Sequence, residues 1–251
     1  MRPETVRVAE LHAQTPLYRN RLTKARAVIR EAFEKNPAWY VATSGGKDSS
    51  VVLSLVREQY PDVAAVTSLH EWCLPETADY LAQIPCLDLT ASGSDHGTGW
   101  APNWEGPQDL PPGVTWLGAK IGEKDRTLKN YGRSETGVFL GLRADESAGR
   151  RVHLRTLGPL FFSQKNRVWQ SSPLAWWSVR EVWAYLLTNK ITYNRAYDVM
   201  DALGIPLEHQ RIGPLAVEKV LGYGPLAILK RGWPLLFNTY AAKHPEARAY
   251  V

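Results

Sequence analysis

Ser44-Gly45-Gly46-Lys47-Asp48-Ser49 is the stretch on which the fold of this chain turns. The run before it, Trp39-Tyr40-Val41-Ala42-Thr43, is short, apolar and rich in aromatic and β-branched residues, which predicts a buried strand. The run after it, Ser49 to Gln59, is predicted helical and is broken at Pro61-Asp62. A loop between a strand and a helix gathers backbone N–H groups at the positive end of a helix dipole, and so makes an anion site. Gly45 and Gly46 allow positive φ and let phosphate oxygens reach the backbone without a Cβ in the way. Ser44 and Ser49 bring hydroxyl donors, Lys47 brings a charge for the outer phosphates, and Asp48 suits either a magnesium ion or a role in fixing the loop. A plain turn with a helix cap would need only Asp48 and Ser49; it does not call for two glycines and a lysine straight after a buried strand.

Val63 to Leu69 predicts a second strand, so the loop lies in a strand-loop-helix-strand unit, the signature of a parallel sheet. Pro75-Glu76-Thr77 predicts a helix start leading to Ile84, and Cys86 to Leu89 a third strand. Upstream, Leu22, Ala25, Val28, Ile29, Ala32 and Phe33 recur at helical spacing within Leu17 to Lys35, a helix ended by Asn36-Pro37. Thr90 to Gly113 is rich in Gly, Ser, Pro, Asp and Trp and reads as a lid, a binding loop or a disordered insertion. A helix from Ala119 to Tyr131 and the strand Gly137 to Gly141 follow. Pro159 to Phe162 is expected to pair with Val168 to Ser171, and Ser178 caps a helix to Leu187 with Glu181 three residues on. Pro214, Pro225 and Pro234 break the tail from Pro206 to Val251 into small helices. The expected organisation is an N-terminal helical segment (1–37), an α/β domain with a Rossmann-like parallel sheet flanked by helices (38–200), and a mostly helical C-terminal extension (201–251).

With 251 residues, 44% of them hydrophobic and 22% charged, the chain has the composition of a globular protein. A net charge of +5 suits an anionic partner: a nucleotide, a sulfated metabolite or a nucleic acid. Met1 to Arg30 does not read as a signal peptide and no run of about 18 apolar residues occurs, so no membrane is implied and the cytoplasm is the expected location. Cys73 and Cys86 are the only cysteines and form no CxxC pair, which excludes zinc ribbons, four-cysteine iron–sulfur sites and thioredoxin-like chemistry. His70 and Cys73 have an HxxC spacing but lack further ligands nearby. Of the tryptophans, Trp100, Trp104 and Trp116 fall in or beside the irregular region, and Trp176, Trp177 and Trp183 near the Ser178 helix.

Other phosphate motifs fit poorly. A Walker A loop needs glycine where Val41 stands and Ser or Thr where Asp48 stands. Gly222-Tyr223-Gly224-Pro225-Leu226-Ala227 has the GxGxxA form, but no strand precedes it and Pro225 follows the second glycine.

SGGKDS after a buried strand resembles the PP-loop of the ATP pyrophosphatase (adenine nucleotide α-hydrolase) superfamily. Gly141-Leu142-Arg143-Ala144-Asp145-Glu146-Ser147 with Arg150 is similar to the GxRxxES…R segment of the phosphoadenosine phosphosulfate (PAPS) reductase family. Pro173 to Leu186, continuing to Tyr193-Asn194-Arg195-Ala196-Tyr197, is similar to that family's PLxxWSxxDVWxYL…YN segment. With Pro75-Glu76-Thr77, the likeness spans Trp39 to Tyr197. It implies that Ser44 to Ser49, with Gly141, Arg143 and Arg150, hold an adenine nucleotide, and that Lys47, Asp48 and Arg143 act in catalysis, Asp48 with Mg²⁺. The residues speak for some of this themselves: Arg143 lies just past a predicted strand, where parallel sheets gather ligand contacts, and its planar fork suits phosphate or sulfate. An ion pair of Arg143 with Asp145 or Glu146, and a solvated surface pair for Arg150 and Arg151, are the plainer readings of the same positions.

The reductases of the family use a cysteine near the C-terminus, and some relatives carry cysteine pairs for an iron–sulfur cluster. No cysteine follows Cys86, and His209-Gln210-Arg211-Ile212-Gly213-Pro214 has proline where several relatives have the cysteine of RxGC. The expected activity is therefore cleavage of ATP between the α- and β-phosphates to adenylate an acceptor, without an iron–sulfur cluster. The acceptor would be sulfate, a carboxylate or a base in nucleic acid. The alternatives are a PAPS- or APS-binding protein whose partner supplies the thiol, and a nucleotide-regulated nucleic-acid module. Expected partners are the nucleotide, the acceptor, a sulfur donor or nucleic acid, and a second copy of the chain as a homodimer.

Overall fold

The computed structural model describes residues 1–67, 73–88, 137–164, 168–212 and 223–251. The expectations placed on Thr90 to Gly113, on the helix Ala119 to Tyr131, and on His70, Trp100, Trp104, Trp116 and Pro214 lie outside the described residues.

Among the described residues six strands form one sheet: β1 (Trp39–Ala42), β2 (Ala64–Thr67), β3 (Leu87–Asp88), β4 (Gly137–Phe139), β5 (Leu160–Ser163) and β6 (Val168–Ser171). Their spatial order is β3-β2-β1-β4-β6-β5. Every neighbour pair is parallel except β5 with β6, which pair antiparallel with Leu160 opposite Ser171, as the sequence predicts for those two runs. Strands β1 to β3 step outward in one direction and β4 begins on the other side of β1. The order therefore reverses between β1 and β4, and the crevice beyond the carboxyl ends of such a pair is where open α/β sheets bind ligands.

Helix α1 (Pro3–Ala13) precedes α2 (Pro16–Lys35), whose Ala25, Ile29 and Ala32 are buried at helical spacing. Helix α3 (Lys47–Gln59) follows the glycine loop, and α4 (Pro75–Leu81) opens on Pro75 as expected. Helix α3 starts two residues earlier than predicted, so Lys47 and Asp48 occupy its first turn and Gly46 is its N-cap. Beyond the sheet's middle come α5 (Ala148–Leu157), α6 (Val179–Thr188), α7 (Ala196–Ala202), α8 (Tyr223–Gly232) and α9 (Pro234–Lys243). Tyr223 to Ala227 of the GxGxxA match thus open a helix with no strand before them among the described residues.

The cap of α6 is as read: the Ser178 hydroxyl accepts the Arg180 N–H and the Glu181 carboxylate accepts the Ser178 N–H. Helix α5 escapes a periodicity reading because Leu154 is its only buried side chain, so no apolar stripe marks it. One apolar core draws on side chains from Ala9 to Ala247, including Ile29, Val41, Leu55, Phe139, Trp177, Trp183 and Tyr240. Helix α1 packs on α6, and His12 Nε2 lies 2.8 Å from Glu181 Oε1.

Candidate functional site

The loop Ser44–Ser49 leaves the carboxyl end of β1, and Gly141 and Arg143 leave that of β4, so the two segments meet at the reversal of strand order. Gly45 has φ +71°, and a Cβ there would meet Thr77 Cγ2 at 3.1 Å and Leu81 Cγ at 3.2 Å, so both its conformation and its packing call for glycine. At Gly141 a Cβ would fall 2.9 Å from the Ser49 nitrogen and 3.0 Å from the Asp48 carbonyl carbon. Only glycine lets the end of β4 touch the first turn of α3.

The loop is braced by its own hydroxyls. The Ser49 hydroxyl donates to the Gly46 carbonyl at 2.9 Å and accepts the Ser44 N–H at 3.3 Å, while Ser50 donates to the same carbonyl at 2.9 Å. Ser49 is buried and Ser44 exposed, so Ser44 is the serine whose hydroxyl faces outward. The Gly45 N–H reaches Thr43 Oγ1 at 3.4 Å.

Lys47, Asp48 and Arg143 come together. Arg143 Nε donates to Asp48 Oδ1 at 2.5 Å, and Lys47 Nζ lies 3.3 Å from Asp48 Oδ2. Lys47 and Arg143 are each only 4% exposed, so Asp48 holds two desolvated cations at the helix N-terminus. Burial pushes the Lys47 ammonium below the usual lysine range, with the Arg143 charge adding to the effect and Asp48 opposing it. Arg143 also meets Asp145, at 3.7 Å, and its backbone N–H donates to Glu146 Oε2 at 3.1 Å. Glu146 in turn pairs with Arg150 and, at 3.7 Å, with Arg211. The ion pair of Arg143 with Asp145 is thus present, but the shorter contact is to Asp48. Arg150 stands at the rim, held by Glu146 rather than by the loop.

Magnesium at Asp48 fits less well. Its carboxylate oxygens face Arg143 and Lys47. This favours the other role read for Asp48, fixing the loop.

Several residues at the loop carried no individual assignment in the sequence. The Tyr197 hydroxyl accepts the Lys47 N–H at 3.1 Å, its ring lies 5.2 Å from Lys47 Nζ, and its complete burial raises the phenol well above its ordinary range. Asn194 donates to Thr77 Oγ1 at 2.8 Å and to the Gly45 carbonyl at 3.4 Å, so it ties α4 to the loop. The Gln210 carbonyl accepts from Lys47 Nζ at 3.0 Å. The signal for Tyr197 and Asn194 was their place in the YN segment, and for Gln210 its place beside the RxGC-like segment. Burial pushes the Cys73 thiol up, away from a nucleophile's range, and Cys86 Sγ sits 3.8 Å from the Leu81 carbonyl.

No helix among the described residues is long and apolar enough to cross a membrane. A family model described as the phosphoadenosine phosphosulfate reductase domain matches residues 38–213. A phosphoadenosine 5'-phosphosulfate reductase of Aliivibrio fischeri is 28% identical over 209 residues, covering 78% of this chain and 75% of that protein. The uncharacterized protein YbdN of Escherichia coli is 24% identical over 246 residues, covering 78% of this chain, which spans 59% of YbdN's length. Among solved structures, a PAPS reductase from Candida auris in a phosphate complex aligns with TM-score 0.48 at 16% identity, over 85% of this chain and 96% of that one. A Candida glabrata FMN adenylyltransferase in complex with ATP aligns with TM-score 0.48 at 14% identity, over 77% and 65%. The phosphate loop, the Arg143 segment and the Trp177 segment all fall inside the matched span, and the chain belongs to the phosphoadenosine phosphosulfate reductase family of PP-loop, adenine nucleotide α-hydrolase proteins.

Proposed function

We propose that this chain binds ATP at the crevice between β1 and β4 and cleaves it between the α- and β-phosphates, transferring the adenylyl group to an acceptor. The observation that carries the reading is the meeting of Lys47 and Arg143, both buried, at the N-terminus of α3, in a chain with Pro214 where several relatives have the cysteine of RxGC. Ser44, Gly45, Gly46 and the first turn of α3 would take the phosphates, with Gly141 letting the end of β4 close on that turn and Arg150 adding charge at the rim. An acceptor oxyanion attacks the α-phosphorus, the bond to the bridging oxygen breaks, and its electron pair leaves on pyrophosphate. Lys47 and Arg143 stabilise the charge that grows on the phosphate oxygens, which is electrostatic catalysis by pre-positioned donors.

Incubation with α-labelled ATP and candidate acceptors (sulfate, carboxylates, oligonucleotides) tests the reading. Labelled AMP or an adenylated product with pyrophosphate is expected; products limited to ADP and phosphate refute it. The family membership favours a second reading, in which PAPS or APS is bound and a partner protein supplies the thiol. Calorimetry separates the two: ATP binding much tighter than PAPS supports adenylation, and the reverse order supports the sulfonucleotide reading.

A further inference from the structure

Beside the phosphate loop lies a second cleft, of about 160 Å³, lined by Arg21, Asp145, Arg151, Arg155, Trp176 and Ser178 among others. Its floor is fixed: the Ala144 N–H donates to the Ala175 carbonyl at 2.8 Å, and Ala144, Leu154 and Ala175 form a small buried cluster beneath α5. Trp177 next door is buried in the main core, but Trp176 is 43% exposed and stands before the first turn of α6. A large aromatic side chain left open in a cleft beside cations has the properties of a stacking platform.

The charges in the cleft are unequally engaged. Arg21 pairs with Glu181 at 2.8 Å, and Asp145 lies 3.7 Å from Arg143. Arg151 and Arg155 sit one turn apart on α5, exposed, and neither makes an ion pair with a described residue. Side chains four apart on a helix have Cβ atoms about 5–6 Å from one another, close enough for both guanidinium forks to reach one phosphate.

We propose that this cleft takes one nucleotide unit, with its phosphate on Arg151 and Arg155 and its base against Trp176. As the place where the acceptor sits, it rests on the adenylation reading; as a binding site, it does not. The unit would come from a free mononucleotide or from a single strand of nucleic acid, the same chemistry from two sources.

Fluorescence anisotropy with a labelled oligothymidylate, and competition by AMP and UMP, tests the site. Wild type is expected to bind saturably. Trp176→Ala should weaken binding about tenfold, the worth of one stacked base. Arg151→Glu with Arg155→Glu should weaken it at least as much, and should flatten the salt dependence if phosphate is the group held. These positions are exposed, and thermal unfolding of each variant checks that the fold is kept. Lys47→Met should weaken ATP binding at least about tenfold and leave the oligonucleotide bound, so failure of the phosphate loop and failure of the cleft are told apart. Much tighter binding of the oligonucleotide than of AMP or UMP assigns the cleft to a strand, and comparable binding assigns it to free nucleotides. Absence of saturable binding by either probe, or variants within about twofold of wild type, overturns the proposal.

Discussion

Gly141→Ala tests the junction on which both fold and site depend. The new Cβ would lie 2.9 Å from the Ser49 nitrogen and 3.0 Å from the Asp48 carbonyl carbon, against an ordinary contact of 3.4 Å or more. Both opposing atoms are backbone in the first turn of α3, so no side-chain rotation relieves the overlap. About half an ångström of displacement between the end of β4 and α3 is required, at an overpacking cost of about 2 kcal/mol. For a chain of this size that lowers the melting temperature by about 4–8 °C. The same displacement moves the N–H groups of the phosphate loop and the Asp48 carboxylate that holds Arg143. Loss of one charge-assisted hydrogen bond, worth about 1.5 kcal/mol, corresponds to about tenfold weaker nucleotide binding. Differential scanning calorimetry and titration with ATP measure the two effects. Gly149→Ala is the control: its Cβ meets nothing within 4 Å, and in the first turn of α5 it should stabilise by up to about 1 kcal/mol. A Gly141→Ala protein that melts with wild type and binds ATP equally would mean that the end of β4 does not touch α3 as described.

Glu181→Gln should destabilise by about 2–3 kcal/mol, because the carboxylate caps α6 through Ser178 and pairs with His12 and Arg21 from a fully buried position. Burial opposes ionisation of Glu181, but the hydrogen bonds from Ser178 and His12 and the Arg21 charge outweigh it and hold its pKa below the usual range. Its contribution is therefore complete above the unfolded value of about 4.3 and is lost as pH falls through the lower folded value; urea midpoints of wild type should show this fall and those of Glu181→Gln should not. Lys47→Met should lower ATP affinity at least about tenfold, read by titration calorimetry, since it removes the buried ammonium at the N-terminus of α3. Because the folded state lowers the Lys47 pKa, wild-type stability should rise as pH climbs from the folded value toward the unfolded value of about 10.4, and the variant should lack that rise. Trp233→Phe removes an indole N–H that lies 2.9 Å from each carboxylate oxygen of Glu76. It should cost about 1–3 kcal/mol, read by urea unfolding.

The sheet was legible wherever a short apolar run met a turn signal, as at Trp39 to Thr43, Gly137 to Gly141 and the paired runs ending in Phe162 and Ser171. Helix α6 announced itself through Ser178 and Glu181, because a capping box is a local device. Helix α5 did not, since one buried leucine makes no period, and what holds it is the remote cluster of Leu154 with Ala144 and Ala175. The engagement of Asp48 by Arg143, ninety-five residues away, was equally out of reach of any local pattern.

Ser44 to Ser49 by itself determined that a glycine turn suited to an anion lies between a strand and a helix, because glycine conformation, helix dipole and lysine charge act within six residues. Which residues complete that turn was decided only by the tertiary structure. The strand order reverses between β1 and β4, and this brings Gly141 and Arg143 against α3; the packing of α7 and the segment after it then sets Tyr197 and the Gln210 carbonyl on Lys47. Contacts of that range depend on how the sheet is threaded, and the threading is a property of the whole chain.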